Sequence, residues 1–209
     1  MPLDLDALLA PAHCALITQE CQRGVIGDRS ALPELEKAVR GGVLEAIAGL
    51  VETAREAGVQ IIHCLAARRR DGRGANHNAR LFQHMARSEF ALHEGSESVE
   101  LVPEISQAES DICLTRLHGL SPFQGTELDS ILRNLGIRTI VGVGVSVNVA
   151  IQNLAFDAVN AAYQVVIPRD AVAGFPAAYV DQVFEHTLGG ICTIIDSDRI
   201  RESWRRRAE

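Results

Sequence analysis

Between Arg138 and Tyr163 the chain reads RTIVGVGVSVNVAIQNLAFDAVNAAY, a pattern with few ways to fold. Thr139 to Val143 are β-branched or apolar apart from Gly142, as in a strand covered on both faces. Gly144-Val145-Ser146 forms a turn. From Val147 the apolar residues recur at 147, 151, 154, 158 and 162, which is one face of a helix. A helix that follows a central parallel strand starts just outside the carboxyl end of the sheet. Open α/β proteins bind their ligands there, and free N–H groups at a helix start suit anions.

The remaining chain repeats this alternation. Strands are expected at Cys14–Gln19, Val59–Leu65, Asp111–Thr115, Gln164–Pro168 and Ile191–Ile195. One long helix is expected from Pro33 to Ala57, with Val39, Val43, Ile47, Leu50 and Ala54 as its stripe and Gly58 as its stop. Shorter helices are expected around Ala79–Ala86, Ala177–His186 and Ser197–Arg207. Thr126-Glu127-Leu128-Asp129 has the form of a capping box ahead of Ile131, Leu132 and Leu135. Residues 68–78 read as a polar loop. Strand and helix alternate with no linker or internal repeat. The expected fold is therefore one α/β domain over 1–209, a three-layer α/β/α arrangement around a doubly wound, mostly parallel six-stranded sheet.

Bulk properties narrow the function classes. With 209 residues, 47% hydrophobic and 22% charged, the chain can bury a sizeable core. A net charge of -7 argues against nucleic acid as a partner. The runs Arg68-Arg69-Arg70 and Arg205-Arg206-Arg207 read as solvated surface charge. The start carries Asp4 and Asp6 and no cationic segment, and no apolar run approaches the roughly 18 residues of a membrane span. Five scattered cysteines suggest neither a disulfide framework nor a zinc motif, so a cytoplasmic location with reduced thiols is expected.

The segment Gly144-Val145-Ser146-Val147-Asn148-Val149-Ala150-Ile151 resembles the nucleophile segment of the isochorismatase-like cysteine hydrolases. That superfamily includes nicotinamidase and N-carbamoylsarcosine amidohydrolase. Phe123, Gly125, Thr126, Leu128, Gly144, Asn148 and Asp170 extend the resemblance, which covers about four-fifths of the chain and implies the same three-layer fold. It also implies an Asp, a Lys and a Cys at the ends of strands one, three and four, and a non-proline cis peptide near Val145-Ser146. The Asp position matches Glu20. The Lys position falls in Thr115–Leu120, which has no lysine, so Arg116 is its candidate occupant and His118 a neighbour. The Cys position holds Ala150, which cannot attack a carbonyl.

Substitutes for the missing thiol are weak. Cys21 follows Glu20 and should point away from it. Cys64 lies beside His63 in strand two and is expected to pack, although the pocket mouth is within its reach. Ser146 either caps the helix or would need a neighbouring base. Asn148 is expected to satisfy turn backbone. Glu20 and Arg116 are candidate catalytic residues, and they could also pair across the strand ends. Gln22, His118, Phe123, Ser146, Asn148 and Ala150 are candidate substrate-binding residues. The amides of about Val149 to Ile151 should point at the pocket. Neither a cofactor nor a metal is expected: the Asp-x-His of metal-binding relatives is absent after strand two, and His77 and His84 are an isolated pair.

The resulting expectation is a hydrolase of a small, anionic metabolite working without a cysteine nucleophile. Isochorismatase-type branches of the family act by an acid on a vinyl ether. The alternative is a non-catalytic small-anion binder or a structural subunit. A homodimer or larger homo-oligomer is expected, since many relatives assemble so and the helix after strand four carries Phe156 and Tyr163.

Overall fold

Period-two burial along the strands builds the two cores of this protein. In a computed structural model, which describes residues 4–208, Leu16 packs into one core while its neighbours Ala15 and Ile17 pack into the other. The elements run α1 (Leu5–Leu8), β1 (Cys14–Gln19), α2 (Arg23–Ile26), α3 (Pro33–Val39), α4 (Val43–Glu56) and β2 (Gln60–Ala66). Then follow α5 (Arg80–Arg87), β3 (Ile112–Arg116), α6 (Leu128–Asn134), β4 (Thr139–Val145) and α7 (Ala150–Asn160). The chain closes with β5 (Gln164–Pro168), β6 (Val172–Ala173), α8 (Ala177–Val183), α9 (Gly189–Ile191), β7 (Thr193–Ile195) and α10 (Ser197–Ala208).

The strands lie in the order β3-β2-β1-β4-β5-β7, all pairs parallel, so β1 and β4 are central. The two-residue β6 pairs with β4 and makes seven strands where six are expected from the sequence. One face is covered by α4 and α10, through Ile47, Leu50, Ile200 and the fully buried Trp204, whose indole N–H donates to Leu9 O at 3.1 Å. The other is covered by α6 and α7, through Leu128, Leu132, Ile151 and Leu154. The close approach of β4 to the end of β1 requires glycine at residue 144. Gly144 has φ +106°, and a Cβ there would lie 2.3 Å from Gln19 O.

Several boundaries correct the sequence reading. The helix expected over 33–57 is two helices, because Gly41-Gly42 intervene and Gly42 adopts φ 104°. α7 starts at Ala150 rather than Val147: Val147 N–H donates to Ala173 O, and Ser146 O accepts from both Val149 and Ile151, which holds 146–149 as a turn. The capping box does not form. Thr126 Oγ1 donates to the Pro122 carbonyl and accepts from Leu128 N–H, and α6 is preceded by Glu127 with no side-chain cap. The helix expected to end at His186 continues through a wider-wound turn, Phe184–Leu188, into α9. The last strand is consequently Thr193–Ile195.

Candidate functional site

Parallel pairing brings the carboxyl ends of β1, β2, β3 and β4 to one edge of the sheet, and a cavity of about 440 Å³ opens there. Glu20 follows β1 directly. Its φ of 54° is rare for a residue with a side chain, and its N–H donates to Cys64 O at 2.9 Å. That turn carries its carboxylate to the cavity wall. Arg116 ends β3, two strands away, and its Nη2 donates to Glu20 Oε1. Gln19 Nε2 donates to the same oxygen at 3.1 Å, which leaves Oε2 available to a bound molecule. The Arg116 side chain is 6% exposed and that of Glu20 17%, so the pair is shielded from bulk water. Arg116 Nε makes a long contact to Gly119 O at 3.4 Å, and its buried Nη1 has no acceptor.

Ala150, the first residue of α7, lines the same cavity. The expectation for the amides narrows here. Val149 and Ile151 both donate to Ser146 O, at 3.1 and 3.0 Å, so of the three expected amides only that of Ala150 is without a backbone partner among the described residues, and the Asn148 N–H beside them is also without one. The peptide between Val145 and Ser146 is cis, at the place the resemblance implies.

The other expected residues divide. His118 lines the cavity with its ring over Gly125, where an added Cβ would meet it at 2.7 Å. Ser146 lines it too, but stabilises the turn through its carbonyl and not its hydroxyl. Asn148 also lines it, and its amide bridges to the backbone of Phe175: its Nδ2 donates to the Phe175 carbonyl, and its Oδ1 accepts the Phe175 N–H at 2.9 Å. Two residues do not belong to the cavity wall. Gln22 is completely buried, accepting from Ala66 N–H and donating to Ala66 O and Val99 O, so it welds the β2 end to a loop. Phe123 packs with its ring centroid 6.1 Å from that of Tyr163. Asp170, part of the sequence resemblance, caps α10 by accepting from Ser197 N–H and Oγ–H at 2.8 and 2.5 Å.

No cysteine lines this cavity. Cys21 and Cys64 are buried on opposite faces of the sheet. Burial pushes both thiols up to about 12; for Cys64, Arg116 pulls the other way and Glu20 and Cys113 add to the rise. His77 and His84 are both exposed, and among the described residues no three His, Cys, Asp or Glu side chains converge as metal ligands.

The sequence missed the far wall. Arg68 lines the cavity, whereas its neighbour Arg69 pairs with Asp71 at 2.8 Å on the surface as expected. Leu81, Phe82 and Met85 of α5 also line it. A short helix is legible in the sequence here, but not which element its apolar residues would meet.

An isochorismatase domain model matches residues 14–199. An uncharacterized isochorismatase family protein of Bacillus subtilis is 34% identical over 105 residues, 50% of this chain and 53% of that protein. The chain therefore spans about half the length of that relative. A ureidoacrylate amidohydrolase of Rhizobium rhizogenes is 26% identical over 205 residues, 90% of this chain and 83% of its own length. Among solved structures, a cysteine hydrolase from Pseudomonas syringae pv. phaseolicola superposes with a TM-score of 0.82 at 21% identity, covering 99% of this chain and 96% of that one. N-carbamoylsarcosine amidase from Thermoplasma acidophilum gives 0.70 at 23% identity, covering 89% and 97%. At these identities the structural matches speak to the fold.

Proposed function

The chain belongs to the isochorismatase family, and from that premise we propose that it is a hydrolase of a small metabolite that works without a cysteine nucleophile. The observation that carries this reading is the convergence of Glu20, Arg116 and Ala150 on one cavity at the sheet edge. Alanine offers no attacking group, and the buried thiols lie elsewhere. Water is then the nucleophile. Glu20 Oε2 takes its proton as the oxygen bonds to the substrate carbon, and returns that proton to the leaving nitrogen or oxygen as the old bond breaks. In this reading the N–H groups of Asn148 and Ala150, which have no backbone acceptor among the described residues, donate to the negative charge that develops on a carbonyl oxygen. Arg116 holds Glu20 in place and offers Nη1 to a substrate acceptor. The same carboxyl could instead protonate a vinyl ether, as in isochorismatase-type branches.

The substrate class that fits is a small acid carrying a ureido, amide or enol-ether group. The ureidoacrylate amidohydrolases among the relatives are named for one such compound. The test is a hydrolysis assay on a panel of ureido, amide and enol-ether acids, with the parent and Glu20→Gln. We expect turnover of at least one member and a loss of about 10²–10⁴-fold in Glu20→Gln. A panel with no turnover, or a Glu20→Gln variant as fast as the parent, would sink the reading. The remaining reading is then a non-catalytic binder of small anions, favoured by Ala150 at the nucleophile position and by Ser146 having no side-chain hydrogen bond to a base among the described residues.

A further inference from the structure

Glu20 pairs with Arg116, so an anion entering the cavity needs a cation other than Arg116. Arg68 stands two residues beyond β2. Its N–H donates to Leu92 O at 2.7 Å and its carbonyl accepts from Glu94 N–H at 3.0 Å, so its backbone is fixed. The preceding Ala67 donates to Arg116 O at 2.9 Å, and Arg68 lines the same cavity as the Glu20–Arg116 pair. Arg69, Arg55 and Arg116 each have a carboxylate partner, whereas among the described residues no carboxylate pairs with Arg68. Its Nε is buried with no acceptor. A guanidinium N–H out of water and without an acceptor is costly, and the planar group favours a two-oxygen anion.

α5 adds a second, independent observation. Leu81, Phe82 and Met85 share one face of this eight-residue helix, yet none of its residues is buried. An amphipathic helix ordinarily seats such a face on the core. Here the face lines the cavity, as do the apolar Val25, Leu35 and Leu92. The other titratable groups on the wall are Glu34, paired with Lys37 at 3.2 Å, and the two histidines His84 and His118.

We propose that the ligand of this cavity is a small monocarboxylate with an apolar body, its carboxylate held by Arg68 and its body by the inner face of α5. The proposal names the substrate class of the site described above and rests on that cavity being the binding site. It does not rest on catalysis.

The test uses straight-chain monocarboxylates from acetate to octanoate as probes, titrated calorimetrically into the full chain. Affinity should rise about three- to fourfold per methylene over the first several carbons, as expected for burying one CH₂ group each. Arg68→Ala should weaken octanoate roughly ten- to a hundredfold while leaving the weaker binding of octanamide unchanged. Met85→Gln, which changes polarity without adding charge, should flatten the chain-length dependence and weaken octanoate far more than acetate. Intact folding of each variant is checked by the emission of the single tryptophan, Trp204. No binding of any chain length at millimolar concentration, a flat chain-length series in the parent, or equal octanoate affinity in parent and Arg68→Ala would overturn the proposal. Binding that follows both trends with no hydrolysis of any substrate would leave it standing and remove only the hydrolase reading.

Discussion

Glu20 at the end of β1 and Arg116 at the end of β3 meet across the end of β2, the strand that lies between them. The contact joins residues 96 positions apart in sequence and closes one side of the candidate site. Removing either partner leaves a shielded charge unpaired. Glu20→Ala and Arg116→Ala should each destabilise by about 2–4 kcal/mol, below the largest values for fully buried pairs because Glu20 keeps some exposure. The double variant should lose less than the sum, with a coupling of about 1–3 kcal/mol. Urea unfolding of the four proteins measures this, and strict additivity would contradict the pair's importance.

A second buried polar chain predicts a pH dependence. Thr18 Oγ1 lies 2.7 Å from His63 Nδ1, and His63 Nε2 lies 3.2 Å from Asp111 Oδ2. Arg55 Nη2 reaches the same Asp111 oxygen at 2.5 Å. Asp111 accepts only, so the neutral imidazole donates from Nε2 and accepts the Thr18 hydroxyl proton at Nδ1. Burial lowers the His63 pKa from its ordinary 6.5 and outweighs the opposing pull of Asp111; the Arg55 charge lowers it further. The unfolded chain therefore binds this proton more readily than the folded one. Stability is retained above pH 6.5 and falls as pH drops below it, by at most about 1.4 kcal/mol per pH unit from this group. The decline from His63 stops once the folded imidazole titrates. Melting curves from pH 8 to 5 should show a shallower slope for His63→Gln than for the parent.

Cysteine reagents should leave function untouched. Cys14, Cys21 and Cys64 are buried, and burial raises all three thiols; those of Cys21 and Cys64 reach about 12. An hour in iodoacetamide at pH 7.5 should leave these two unlabelled by mass spectrometry, with ligand binding unchanged. Loss of binding in step with labelling of Cys64 would be the contrary result.

Association through the outer face of α7 is the last expectation. Phe156 and Val159 are three residues apart on that helix, 46% and 37% exposed. Tyr163, grouped with them on sequence grounds, is instead 4% exposed beneath Arg133, with its hydroxyl 2.9 Å from Asp129 Oδ1. Light scattering should give twice the 22.6 kDa chain mass, and Phe156→Glu should return it to one. A monomeric parent at micromolar concentration would rule this out.

The sequence by itself determined the strand-and-helix alternation, because the apolar period changes from continuous runs to helical spacing at each element. It determined the family, through residues that lie mostly in one half of the chain. It also placed Glu20, Arg116 and Ala150 at strand ends and a helix start, where parallel order alone brings such ends together. Tertiary structure decided the rest. Gln22 and Phe123 stand near the site in sequence, but their side chains turn to backbone and to Tyr163. Arg68 looks like its surface neighbours in the run, and only the backbone bonds to Leu92 and Glu94 give it a cavity wall. The local pattern of apolar residues sets an element's secondary structure and its buried face. Which other face it meets depends on contacts between residues far apart in sequence, and those exist only once the sheet is assembled.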